Sequence, residues 1–385
     1  MTDDLPPNPA LLPAGLRDLL PPEAETEAAS VETLMTVFAA HGYQRVKPPL
    51  LEFEDSLLAG SGAAVADQTF RIMDPDSQRM MGLRADTTPQ VARIAVTRLG
   101  NVPRPLRLSY AGQCLRVRGS QLAPERQVSQ VGLELIGPDS PQADAETILV
   151  AAEALASIGL TRASFDLTLP MLVPSLLDQA GIAGADRIML GRALDRKDAA
   201  AVSRLGGALA PVLTELLLAA GPADRALAAL GSAKLPDLAG ALARRVAETE
   251  AAIRAADPGL RLTIDPVEFR GFRYETGVSV TVYAPGRREE LGRGGRYICG
   301  ENEPATGITL YPDAILRVAP PRAPRPRLFV PHGAETRAAL AALRADGFAT
   351  VAALAPVDDD VAEARRLGCS HILRSGKAAL LDSKG

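Results

Sequence analysis

The sequence predicts an α+β protein: an antiparallel sheet flanked by helices, with a helical insertion and a small C-terminal α/β module. Three observations carry that expectation. Leu106–Cys114 and Val128–Ile136 alternate as a pair of long strands. From Asp166 to about Pro258 the chain turns Ala/Leu-rich and helical in period, broken by Gly-Pro and Lys-Leu-Pro punctuation. After a Pro/Arg linker at Pro320–Arg327, strand and helix signals alternate to the end. The expected segments are 1–160 (first part of the core), 161–259 (helical insertion), 260–319 (second part of the core) and 320–385 (linker and module).

The elements follow in order. Glu23–Ala40 spaces Val31, Leu34, Val37 and Phe38 on one helical face and ends at His41-Gly42, a glycine suited to a left-handed cap. Tyr43–Leu51 is extended, with Pro48-Pro49 placing it at an edge or an interface. Phe70–Met73 and Arg79–Leu83 form a hairpin around Asp74-Pro75-Asp76, and Pro89–Leu99 a helix whose first turn tolerates proline. The polar stretch Arg116–Gln127 joins the two long strands as a charged, mobile loop of the kind that carries function. Ser140-Pro141 caps a helix over Gln142–Ile158. Strands return at Leu260–Ala284, Glu289–Gly292 and Thr306–Tyr311. The module reads as strand Leu328–Pro331, helix Glu335–Asp346, strand Ala349–Leu354, helix Val361–Leu367 and strand His371–Arg374. The core sheet is expected to hold six or seven antiparallel strands.

Composition narrows the function. The 385 residues carry 42 Lys+Arg against 46 Asp+Glu, a net charge of −4, so bulk attraction to nucleic acid is not implied. Apolar runs such as Ile148–Ala152 and Ala338–Leu343 fall far short of the roughly 20 residues that span a bilayer. Met1–Pro9 is acidic and Pro-rich and lacks signal-peptide character, so a cytoplasmic protein is expected. Cys114, Cys299 and Cys369 form no CxxC pair, and His41, His332 and His371 have no metal-ligand spacing. Neither a disulfide framework, a metal nor a cofactor is expected.

Three clusters could carry chemistry, each with a plain alternative. Leu83–Gln90 sets Asp86, Thr87 and Thr88 just before a helix; taken alone this is a capping cluster, and otherwise a pocket for a ligand ammonium with Asp86 as counter-charge. Strand alternation puts Gln130, Gly132 and Glu134 on one face, with the glycine leaving room for a ligand and Arg116 able to grip a carboxylate or phosphate; the alternative is a solvated sheet face. Glu268–Tyr274 and Leu291–Tyr297 set arginines and tyrosines around glycines, suited to an anionic or aromatic ligand or simply to a hairpin turn.

Together these clusters resemble the catalytic core of class II aminoacyl-tRNA synthetases of the histidyl type. Gly42-Tyr43-Gln44-Arg45-Val46-Lys47-Pro48-Pro49 resembles the first, dimer-forming signature. Leu115-Arg116-Val117-Arg118 with Arg126–Glu134 resembles the second, and Arg270–Tyr274 with Gly294–Tyr297 the histidine-recognition signatures. The resemblance covers a little over half of the chain and implies the class II sheet.

The departures redirect the functional expectation. Arg118 stands where a synthetase continues to glutamate, Glu275 where it has a second tyrosine, and Ala314 where the arginine of a Gly-x-Glu-Arg run holds ATP; Pro312 breaks into the approach. Losing that guanidinium removes stabilisation of a phosphoryl transition state, on the order of several kcal/mol. An amino-acid pocket kept beside a dismantled ATP apparatus resembles the regulatory subunits of ATP phosphoribosyltransferase, as does the run Leu83-Arg84-Ala85-Asp86-x-Thr88-Pro89-Gln90. That resemblance implies a non-catalytic subunit that joins a short-form catalytic subunit for the first step of histidine biosynthesis and senses L-histidine for feedback inhibition. It implies a homodimer, formed through Tyr43–Leu51, within a hetero-octamer. By carry-over, Asp86 and Thr88 would meet the histidine α-amino group with Gln130 assisting, Arg116 and Arg270 its carboxylate, and Glu134 and Tyr274 its imidazole, with Tyr297 walling the ring. The alternatives are an active histidyl-tRNA synthetase and a tRNA-binding synthetase paralogue.

Overall fold

A computed structural model describes residues 11–119, 124–268, 274–334 and 337–381. These form two units, 1–320 and 321–385.

The first unit is built on a mixed sheet. Helix α1 (Glu23–Ala40) leads into strand β1 (Gln44–Arg45), then β2 (Leu51–Phe53), the short helix α2 (Glu54–Leu57), and the hairpin β3 (Phe70–Met73) and β4 (Met80–Leu83). Helix α3 (Thr88–Thr97) precedes the long strands β5 (Leu106–Leu115) and β6 (Gln127–Ile136), and α4 (Pro141–Ser157) leads to β7 (Ser164–Thr168). Helices α5 (Leu172–Gln179), α6 (Gly184–Asp195), α7 (Ala199–Leu205) and α8 (Ala210–Ala219) come next, then β8 (Gly221–Pro222), α9 (Ala223–Ser232) and α10 (Asp237–Ala256). The unit closes with β9 (Arg261–Asp265), β10 (Glu275–Tyr283), β11 (Glu290–Cys299), β12 (Glu303–Leu310) and α11 (Pro312–Leu316).

Nine strands join in the order β1-β5-β6-β12-β11-β10-β7-β9-β8, where six or seven were expected. The additional ones have a common cause. β7 lies inside the segment read as helical; its five residues are too short to stand out against Ala/Leu-rich surroundings, yet Phe165 and Leu167 alternate inward. It pairs in parallel with β9, a pairing that needs a long crossover, and α5–α10 supply it. β1 also pairs in parallel with β5, so the sheet is not wholly antiparallel. Local alternation cannot report either partner.

The expected boundaries of α1 are met, and Gly42 takes φ +82° beyond its end. Ser140 caps α4 by accepting the Ala143 N–H. One continuous core packs α1, α4 and α5–α10 onto the sheet. A smaller cluster lies under α3, where Val91, Ala92 and Ala95 meet Leu108, Tyr110, Tyr297 and Ala305. The site lies beside this second cluster. Of the Arg116–Gln127 loop, Ser120–Ala123 fall outside the described residues, and Arg116 N–H donates to Arg126 O at 2.7 Å, continuing the hairpin.

The second unit carries β13 (Arg327–Val330), α12 (Arg337–Ala345), β14 (Ala349–Ala352), α13 (Asp360–Arg366), β15 (His371–Arg374) and β16 (Lys377–Leu380). The strand order is β14-β13-β15-β16, parallel apart from the final hairpin, a fourth strand that the alternation of elements had not marked. Among the described residues no helix is long and apolar enough to cross a membrane.

Candidate functional site

Four neighbouring strands turn one face toward α3, and three glycines decide what that face can hold. Tyr110 on β5 is opposite Gly132 on β6, and a Cβ at Gly132 would lie 2.3 Å from the Tyr110 ring. The space read as room for a ligand is therefore filled by the protein's own phenol. Glu134 is opposite Gly307 on β12, where a Cβ would sit 1.9 Å from the Glu134 carboxylate. Gly112 likewise makes way for the buried Arg84 guanidinium, 2.3 Å from its would-be Cβ. Arg84 is a brace, donating to Gln113 O at 2.7 Å and Pro48 O at 3.2 Å.

Glu134, 1% exposed, is the centre of the site. Its Oε1 accepts from Thr88 at 2.9 Å and Tyr110 at 3.4 Å, and its Oε2 accepts from Tyr297 at 2.9 Å. Tyr110 also bonds the Thr88 hydroxyl at 3.1 Å and the Thr309 hydroxyl at 2.6 Å. Burial raises the Glu134 carboxyl to about 8; the nearby Asp86 charge adds to this, and the tyrosine and threonine hydroxyls oppose it. Burial also pushes the phenols of Tyr110, Tyr274 and Tyr297 well above their ordinary value.

Asp86 anchors the other end. It accepts from Gln130 Nε2 at 3.0 Å, more weakly from Thr88 N–H at 3.4 Å, and on its second oxygen from Tyr274 at 3.4 Å. Gln130 Oε1 in turn accepts Thr87 N–H at 2.9 Å and the Cys114 thiol at 3.1 Å, and burial lifts that thiol to about 11. Helix α3 begins at Thr88, and its N-cap Thr87 makes no side-chain cap bond, facing Cys114 instead. The capping reading holds for Asp86, which accepts the first N–H of α3, and not for Thr87; Asp86 is held by Gln130 as well.

Asp86, Thr88, Gln130, Glu134, Tyr274 and Tyr297 thus converge. The two tyrosine rings meet edge to face, centroids 5.9 Å apart at 78°. Tyr297 bonds Glu134, while Tyr274 reaches Asp86. Arg116, at the end of β5, stands apart from this web and acts by its charge on Cys114 and Tyr311. Arg270 lies outside the described residues. Arg296, read within a ligand-binding turn, points to the opposite face and is committed to Asp144. Between the tyrosines and Glu134 lies a narrow cavity also lined by Glu275, Arg293, Gly295 and Thr309. Tyr110, Thr309 and Glu275 were not anticipated as site residues. The glycines at 132 and 307 were the available signal, since a buried glycine across from a bulky side chain marks space already taken. Among the described residues no cluster of His, Cys, Asp or Glu could hold a metal ion.

The family model described as histidyl-tRNA synthetase matches residues 15–315. Curated relatives described as ATP phosphoribosyltransferase regulatory subunit match nearly end to end. The Paramagnetospirillum magneticum protein is 57% identical, covering 95% of this chain and 96% of its own length. The Gluconobacter oxydans protein is 55% identical, covering 97% of each. The chain belongs to the family of ATP phosphoribosyltransferase regulatory subunits. Among solved structures, a Bacillus halodurans protein described as an ATP phosphoribosyltransferase regulatory subunit/histidyl-tRNA synthetase matches with a TM-score of 0.77 at 23% identity, covering 92% of this chain and 96% of that one. A histidyl-tRNA synthetase from Nostoc sp. PCC 7120 also reaches 0.77, at 17% identity over 94% and 90%. At these identities they speak to the fold alone, and the fold is that of the class II synthetases.

Proposed function

We propose that this chain is a histidine-sensing regulatory subunit with no chemistry of its own, required by a short catalytic subunit that makes phosphoribosyl-ATP from ATP and phosphoribosyl pyrophosphate. The observation that carries this reading is a contrast within one site. Thr88, Glu134, Tyr274 and Tyr297 line a small cavity with Asp86 and Gln130 hydrogen-bonded behind them, whereas position 314, where a synthetase has its ATP-holding arginine, is a buried alanine beside Asp313, which accepts the Ser129 N–H at 2.7 Å. In this reading Asp86 takes the α-ammonium of L-histidine, with Thr88 and Gln130 close by. Arg116 and Arg270 take its carboxylate, and Glu134, Tyr274 and Tyr297 surround its ring. The cavity admits little more than a water as it stands, so ligand entry requires the side chains that line it, Tyr274 among them, to move. Histidine shifts the assembly between active and inhibited states only by binding one more tightly, a coupling of about 1–3 kcal/mol. The subunit is proposed to be cytoplasmic and to act as a homodimer, formed through Tyr43–Leu51, within a hetero-octamer, without tRNA.

The test is the phosphoribosyltransferase rate of the short catalytic subunit from the same organism, with and without this chain, across a histidine titration. Stimulation by the chain followed by loss of activity with histidine is the expected result. No effect of the chain on that rate sinks the proposal. The family model's own description favours one other reading, an active synthetase; it predicts histidine-dependent exchange of pyrophosphate into ATP, which this reading expects to be absent.

A further inference from the structure

Two carboxyl groups, Asp86 and Glu134, lie more than nine-tenths buried in the proposed histidine site. Every hydrogen bond that Glu134 accepts from described residues comes from a neutral hydroxyl: Thr88, Tyr110 and Tyr297. The titratable and charged groups around it are Tyr110 on β5, Asp86 before α3, Tyr274 just before β10 and Glu275 at its start, and Arg293, Tyr297 and Cys299 on β11. Of these, Arg293 pairs with Glu290 at 2.9 Å and Glu275 accepts the Ser279 hydroxyl at 2.5 Å. Glu134 is thus a buried acid hydrogen-bonded by neutral groups beside a cavity. Desolvation keeps its proton in place up to about pH 8.

A histidine ligand brings a base with an ordinary pKa of about 6.5. Hydroxyl groups lie within hydrogen-bond distance of both Glu134 oxygens, and their rotatable protons can turn to solvate the carboxylate once it ionises. We propose that the ring of the bound ligand takes the proton of Glu134, so that the site recognises histidine by two cationic groups, ammonium against Asp86 and imidazolium against Glu134. The carboxyl O–H bond breaks, a ring N–H bond forms, and no proton is exchanged with solvent. This inference rests on the histidine-sensing reading above.

Proton counting makes it testable. Between about pH 6.5 and 8 the free pair holds one proton, on Glu134, and the bound pair also holds one, on the ring. Affinity is then flat across that window. If instead the ring bound neutral to an ionised Glu134, binding would expel a proton, and affinity would rise about tenfold per pH unit over the same range.

The experiment is calorimetric titration of the full chain with L-histidine at several pH values from 6.5 to 8, in buffers of different ionisation enthalpy. Ring-nitrogen NMR of bound ¹⁵N-histidine at pH 8 accompanies it. Expected are affinities constant within about twofold, no net proton exchange, and two protonated ring nitrogens in the bound ligand although the free ring is neutral at that pH. A tenfold rise per unit, or a bound ring with one bare nitrogen, overturns the proposal. Triazolylalanine, whose ring resists protonation, is expected to bind at least tenfold more weakly than histidine, and equal binding also overturns it. Absence of histidine binding at every pH would instead bring down the histidine-sensing reading itself.

Discussion

Arg296 and Tyr297 are neighbours on β11, and alternation sends them to opposite faces of the sheet. The two buried polar clusters that they enter are built on different principles. On the Arg296 side, Asp144 is held by Arg296 Nε at 2.9 Å and by Arg245 Nε at 2.8 Å, and Arg245 also reaches Asp139 at 2.7 Å. Two arginines and two aspartates balance, and the remaining Arg296 donors go to Pro138 O and Ser140 O. On the Tyr297 side, Glu134 collects hydroxyls beside a cavity. The difference lies in what meets a buried charge: on the Arg296 side, which also borders a larger cavity lined by Asp139, Arg245 and Arg296, it is opposite charge from the same chain, and on the Tyr297 side only neutral donors.

Four measurements would break or sharpen that contrast. The largest effect of a substitution at a single pH is expected on the balanced side. Asp144→Ala removes the buried carboxylate that Arg296 and Arg245 share, leaving them Asp139 and backbone carbonyls, and should lower the unfolding free energy by about 3–5 kcal/mol in urea denaturation. A loss below about 1 kcal/mol would mean that the cluster is better solvated than its geometry implies.

On the other side the effect is a pH dependence. The folded-state pKa of Glu134 is raised from 4.5 to about 8, so the folded protein binds this proton more tightly than the unfolded chain. Its contribution is fully present below about pH 4.5 and is lost as pH rises through 8, an amount on the order of 5 kcal/mol spread over that whole range. Stability curves of wild type and Glu134→Gln should differ by that slope, and parallel curves would show that Glu134 does not titrate as its burial requires.

Tyr110→Phe should cost about 1–2 kcal/mol, because it deprives the Thr309 hydroxyl of a buried partner at 2.6 Å. It should also weaken histidine binding without abolishing it, read by the same calorimetry; unchanged stability and binding would remove Tyr110 from the site. The smallest effect belongs to the surface. Arg45→Gln breaks a pair with Glu32 whose side chains are 48% and 64% exposed, and stability should stay within about 0.5 kcal/mol of wild type.

Much of this site is legible in the amino-acid sequence. The spacing of Gln130 and Glu134 along one strand puts them on one face, and the run from Arg84 to Gln90 brings Asp86 and Thr88 together ahead of a helix. Tyr274 and Tyr297 come through a resemblance, since their own neighbourhoods suggest no more than glycine-rich turns. What escapes is equally specific. Tyr110 looks like one more apolar strand residue, and its role emerges only because Gly132 lies across the ladder. Thr309 joins the site through the register of β12 on β6, which sets it opposite the same glycine. β7 hides inside a helical stretch because its partner, β9, lies beyond α5–α10 in the chain.

By itself, then, the sequence determined the local periods: where α1 starts and stops, which residues of β5 and β6 share a face, and that an acid and two threonines precede α3. Only the tertiary structure decided the pairings: Glu134 against Gly307, Tyr110 under Gly132, Asp144 between two arginines more than a hundred residues away. The physical reason is the range of the forces involved. Backbone sterics and side-chain alternation act over a few residues and are written in the local pattern. The neighbour that a buried charge meets depends on register between strands distant in sequence, and there a single missing Cβ determines whether a carboxylate, a phenol or a ligand occupies the space.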